Sequence, residues 1–136
     1  MNDLLNTNNS IIFSYSRSQA TLDGVLIDLT DAAKEAGIRW PLAATLAVWD
    51  KYLAWTDSDN KRQAYQDQSG RIWDMLSMLR MSIRQSNNAA RQIYFKFYVI
   101  SRGGKGFKAR LTTLKAIVSP GDNLEPVITV MMTDED

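Results

Sequence analysis

The spacing of apolar positions along this chain of 136 residues changes character near Asn87 and Asn88, and that change organises everything else. Before it, apolar residues recur at helical intervals. Leu42, Leu46, Trp49 and Leu53 follow one another by 4, 3 and 4, and Ile72, Leu76, Leu79 and Ile83 do the same. Each set marks one face of an amphipathic helix. After it, Ile93, Phe95, Phe97 and Val99 alternate with Tyr94, Lys96 and Tyr98, the period of a half-buried strand.

Punctuation between these runs sets the boundaries. Residues 1–10 are polar and rich in Asn, and a flexible N-terminus is expected there. Ser16 can cap a short helix that ends near Asp23, with Gly24 as its left-handed stop. Val25 to Asp28 reads as an extended piece. Thr30 is placed to cap a helix over Asp31–Ala36, which Gly37 ends. Pro41 suits the first turn of the next helix, and Asp57 to Asn60 break it. A loop or loosely helical lead-in reaches Ser69, and the best helix runs over residues 70–86. Arg71, Arg80 and Arg84 lie off its apolar stripe.

The second half reads as three strands: the aromatic run at residues 93–101, Leu111–Val118 and Val127–Met132. The loop at residues 102–109 and the turn at residues 120–125 join them. Helices first and strands last point to one α+β domain over residues 11–136. Its N-terminal helices are expected on one face of a C-terminal antiparallel sheet of three strands, or four. On this reading Val127–Met132 is the closing strand, and Asp134, Glu135 and Asp136 end it in water.

Composition narrows the chemistry. The chain has no Cys and no His. Disulfides, thiolate metal sites, His-ligated zinc and every Ser–His or Cys–His mechanism are excluded. No cofactor or metal is expected. The N-terminal residues lack a basic region followed by an apolar run, and no apolar stretch reaches the ~20 residues of a membrane helix. A cytoplasmic protein without a membrane partner is the expectation.

Charge adds a second pattern. Net charge is +1, but residues 1–60 hold 4 basic and 8 acidic residues, residues 61–118 hold 12 and 2, and residues 119–136 hold 0 and 5. Either the segments neutralise one another in the fold, or the basic segment presents a face to an anionic partner. The candidate partner-binding residues are Arg80, Arg84, Arg91, Arg102, Lys105, Lys108 and Arg110. The loop Arg102–Lys108 contains three glycines and three cations, which suits either close approach to a phosphate or a plain hairpin loop. It is not a GxxxxGK[ST] motif. Tyr94 and Tyr98 can stack on bases if helices leave their face open.

Acids gather at Asp23, Asp28, Asp31 and Glu35. Close carboxylates can do acid–base chemistry or hold Mg²⁺ or Ca²⁺, but this spacing fits no calcium loop, and Asp31 suits a first-turn helix acid. Asp50 and Asp74, each following a Trp, read as structural acceptors. Trp40, Trp49, Trp55 and Trp73 read mostly as core. Met75, Met78 and Met81 advance by three round their helix, which leaves room for an exposed, partner-facing Met.

Three blocks carry a resemblance: residues 12–53, residues 70–84 and residues 111–136. Together they resemble a family of short uncharacterised proteins carried by bacterial plasmids, phages and integrative conjugative elements. The resemblance transfers no catalytic residue. It implies a setting in which small proteins act on host defence complexes. The expected function is therefore a non-enzymatic binding protein of a mobile element. It would inhibit or modulate, through protein contacts, a host protein or ribonucleoprotein complex of the CRISPR or restriction type. The alternatives are a nucleic-acid-binding accessory protein and, further off, a carboxylate-based enzyme using Asp23 or Asp28.

Overall fold

A computed structural model describes residues 16–86 and 90–136. The N-terminal stretch read as flexible lies outside the described residues. In chain order the elements are α1 (Arg17–Leu22), β1 (Leu26–Asp28), α2 (Thr30–Glu35), β2 (Leu42–Thr45) and α3 (Leu46–Val48), which continues as a π-helical turn over Trp49–Leu53. Then come α4 (Asp57–Arg62), α5 (Gln68–Gln85), β3 (Gln92–Val99), β4 (Arg110–Pro120) and β5 (Pro126–Met132).

The α+β class holds, but the sheet is larger and mixed. Five strands run in the order β1-β2-β5-β4-β3, and β2 pairs parallel to β5 while all other neighbours are antiparallel. The C-terminal meander of three strands is present. Two further strands come from the N-terminal half, so helices and strands are interleaved rather than segregated. The strand expected to close the sheet, β5, is its centre. Glu135 does not simply end that strand in water: its Oε1 accepts from the N–H of Met132 (2.7 Å) and the hydroxyl of Thr45 (2.8 Å). Asp134 and Asp136 are exposed.

The helix expected from Pro41 starts later. Leu42–Thr45 is a strand buried at Leu42, Ala43 and Ala44, and Thr45 becomes the cap of α3, accepting from the N–H of Val48. Leu46, assigned to the buried stripe, is exposed. Asp57 to Asn60, read as a break, form α4. Thr56 and Asp59 close a capping box at its start, each side chain accepting from the other's N–H. Helix α2 is preceded by Asp28 rather than capped by Thr30: the Asp28 carboxylate accepts from the N–H and hydroxyl of Thr30. Ser16 caps α1 as expected.

The core lies between one sheet face and α5. Phe95, Phe97, Leu114, Ile128, Val130 and Leu42 project from the sheet onto Met75, Leu76 and Leu79. The opposite face carries Tyr94, Lys96 and Tyr98 on β3, and Thr129 on β5. Helices do not keep to one face. Arg17 of α1 reaches that opposite face, donating to the Thr129 hydroxyl (2.8 Å) and the Ile128 carbonyl (2.7 Å). Asp122, in the β4–β5 turn, accepts from the N–H groups of Arg17 and Ser18. Those bonds hold its carboxyl below the usual carboxylate range. No helix among the described residues is long and apolar enough to cross a membrane.

Candidate functional site

Helix α2 ends in a Schellman turn. The Ile38 N–H bonds the Ala33 carbonyl (2.8 Å) and the Gly37 N–H bonds the Lys34 carbonyl (3.0 Å). Gly37 sits at φ +92°, where a side chain is strained. The turn buries Ile38 and sends Arg39 and Trp40 outward before β2 begins. Arg80 crosses the bare face of Gly37: a Cβ placed there would lie 2.6 Å from Arg80 Nε. Arg84 stands one turn further along α5. Arg91 directly precedes β3, and its carbonyl is held by the Val118 N–H of β4 (2.8 Å).

These four arginines line one cavity of about 810 Å³. Its floor is apolar, made by Ile38, Ile83, Ile93, Val118 and Ile128, and Trp40 stands on its wall, 46% exposed. Among the described residues no Asp or Glu lines it. Among the described residues, none of the four guanidiniums has a hydrogen-bond or ion-pair partner. Four cations with donor-only heads above an apolar floor can hold an anion that also carries apolar surface.

The structure divides the seven residues proposed from sequence. It brings Arg80, Arg84 and Arg91 together at the cavity. It puts Arg102, Lys105, Lys108 and Arg110 at the other end of β3, seven residue steps or roughly 23 Å away. A single patch containing all seven does not form. Arg102 is occupied besides: its Nε donates to Asp59 Oδ2 (2.9 Å). The glycine loop is tied down by Gln63, whose amide donates to the carbonyls of Ser101 and Gly106 and accepts from the Gly103 N–H. Lys105 and Lys108 stay exposed on it.

Arg71, read as off the apolar stripe, is buried. Its guanidinium lies 4.3 Å from the centre of the Trp55 ring and donates to the Ile100 carbonyl (2.9 Å) and Gln66 Oε1 (2.7 Å). Burial pushes it down to about 10; nearby Asp59 opposes that shift and Arg102 adds to it. It therefore stays cationic at neutral pH. Its second terminal nitrogen has no partner among the described residues, and Arg71 is among the residues lining a smaller cavity of about 350 Å³.

Among the early acids, Asp28 accepts from the N–H and hydroxyl of Thr30 beside the start of α2, and Asp23 accepts from the Gln19 side-chain amide (2.9 Å). Among the described residues no three His, Cys, Asp or Glu side chains group as a metal-ligand set. Trp40 and Trp73, assigned to the core, are exposed, as are Met78 and Met81, whereas Met75 is buried. Sequence reasoning missed Arg39 and Trp40. The signal was the run Gly37-Ile-Arg-Trp-Pro41, which puts a cation and an indole on a short connection after a glycine stop. The acidic balance of residues 1–60 hid it.

Comparison with known proteins matches residues 1–136 to a family of unknown function, DUF6573. No curated protein and no solved structure matches the chain.

Proposed function

The chain belongs to this family, and we propose that it acts by stoichiometric binding rather than by turnover, holding an anionic surface of a larger complex at the arginine cavity. The observation that supports this reading is the convergence of Arg39, Arg80, Arg84 and Arg91 on one cavity that no Asp or Glu among the described residues lines. Unpaired like charges repel one another and cost stability, so such a cluster fits a site completed by an anionic partner. The outer face of α5 extends the surface. Trp73, Ser77, Arg80, Met81 and Arg84 follow one another at helical spacing, and Trp73 and Met81 are each 51% exposed. Trp, Met and Arg are the residues that enrich protein interfaces.

The setting belongs to the same proposal and rests on the sequence resemblance. In it, a cytoplasmic protein of a mobile element inhibits or modulates a host defence complex made of protein and nucleic acid. Direct nucleic-acid binding by an accessory protein is a second reading, favoured by the donor-only heads around the cavity.

The test is a charge reversal, Arg80→Glu with Arg84→Glu, compared with Lys105→Glu and Lys108→Glu. Tagged protein would be used to capture partners from a bacterial lysate with active defence systems, with and without nuclease. A stoichiometric complex kept by the native chain and by the loop variant, and lost by the helix variant at an unchanged melting temperature, supports the reading. Equal retention by the helix variant rejects it.

A further inference from the structure

We infer that the arginine cavity takes an unpaired stretch of nucleic acid, with phosphates on Arg80, Arg84 and Arg91 and a base on the apolar floor beside Trp40. The inference rests on the reading of this cavity as the partner site and names the chemistry of what enters it.

The charged heads come first. Each guanidinium offers five N–H donors and no acceptor, in a fork that matches phosphate oxygens. Arg80 and Arg84 lie one helical turn apart, about 5–6 Å between their Cβ atoms. With Arg39 and Arg91 the cavity holds four fixed positive charges. One terminal phosphate carries about −1.5 to −2. A chain bearing several phosphates balances the site better than one phosphate group does.

The floor decides between polyanions. Ile38, Ile83 and Ile93 give a run of acidic side chains or inorganic phosphate nothing to bind. A nucleobase brings a flat apolar face, and base–aromatic stacking is sequence-tolerant. Trp40 supplies such a ring on the cavity wall. A duplex offers its phosphates to the rim, but its bases are stacked inside and cannot reach the floor. The volume, about 810 Å³, sits in the upper part of the range for cavities that bury a ligand.

The experiment measures polarisation of a labelled eight-nucleotide single strand binding to the full chain. Competitors are the same sequence as a duplex, an abasic strand of equal charge, a nucleoside triphosphate and a poly-glutamate peptide. The expected result is preference for the single strand, with a slope of log affinity against log salt of about −2 for three phosphate contacts. Arg80→Gln with Arg84→Gln should flatten that slope by about 1.4. Trp40→Ala should weaken binding roughly tenfold, and the abasic strand should compete at least tenfold less well. Tyr94→Ala with Tyr98→Ala, on the opposite sheet face, should change nothing. Thermal melting checks that each variant folds.

Three results overturn the inference and leave the proposed function standing: equal binding of the duplex or the abasic strand, equal binding of the triphosphate, or binding of the acidic peptide alone. Loss of strand binding in the tyrosine variant but not the arginine variant moves the site to the other face and overturns it too. Failure of every anionic polymer to bind at low salt removes both the inference and the reading beneath it.

Discussion

Asp59 is fully buried, yet it carries a charge. Burial pushes its carboxyl up. The bonds from the Thr56 N–H (2.8 Å), Arg102 (2.9 Å), the Thr56 hydroxyl (3.0 Å) and Arg62 (2.6 Å) outweigh that and hold it well below its ordinary value of 3.8. A folded value below the unfolded one means that the unfolded chain takes up the proton first as pH falls. The stabilisation is complete above pH 3.8 and fades as pH drops further, towards the folded value. Asp59→Asn should cost about 1–3 kcal/mol at neutral pH, because it leaves Arg102 without its carboxylate partner. Urea unfolding from pH 7 down to pH 2 checks both points: the variant should start lower and lose less stability through the acid range. The capping half of this arrangement is readable in Thr56-x-x-Asp59. The other half is not, since Arg102 sits beyond two intervening elements and counts from sequence as one more available cation. Arg71 escapes in the same way, because its partners Leu53, Gln66 and Ile100 are brought to it by the fold.

At the scale of elements, the contact between α2 and α5 runs through Gly37 and Arg80. Gly37→Ala should destabilise the protein by about 1–2 kcal/mol, the cost of a Cβ in a left-handed conformation. It should also push Arg80 aside and weaken whatever the cavity binds. Chemical denaturation and the polarisation assay read the two effects separately. A Gly37→Asn variant should recover much of the stability, since Asn tolerates positive φ, while still displacing Arg80. The strands after Asn88 were legible because their faces differ: Phe95, Phe97 and Val99 are buried and Tyr94, Lys96 and Tyr98 exposed. Strand β2 was not, and the reason is local. Leu-Ala-Ala-Thr is good helix material, and Ala has the strongest helix preference of all. What makes it a strand is pairing with β1 on one edge and with Ile128, Thr129 and Val130 on the other. Tertiary pairing overrode propensity there, and nothing in residues 42–45 announces it.

The whole molecule depends on β5. It joins the β1–β2 pair to the β4–β3 pair, so removing residues 127–136 takes out the centre of the sheet. Such a chain should lose cooperative thermal unfolding altogether, where an edge deletion of similar length would only lower the midpoint; circular dichroism during heating tells these apart. The same scale explains what could be read of the site. Charge counting found the basic half of the chain and three of the four cavity arginines. It could not see that β3 holds the two basic groups apart, or that an acidic segment donates Arg39 and Trp40. Site membership is a property of the assembled sheet.

That β5 follows both of the strands it joins in chain order has a consequence during synthesis. Until residues 126–132 have left the ribosome and docked, β2 and β4 have no neighbour on the edges that β5 fills. Ribosomes add about 5–20 residues per second, so the interval is short, but open edges and an uncovered apolar surface attract other chains. Newly made protein should therefore lean on chaperones until β5 emerges. Its yield should respond to chaperone supply more than the stability of the finished fold would lead one to expect.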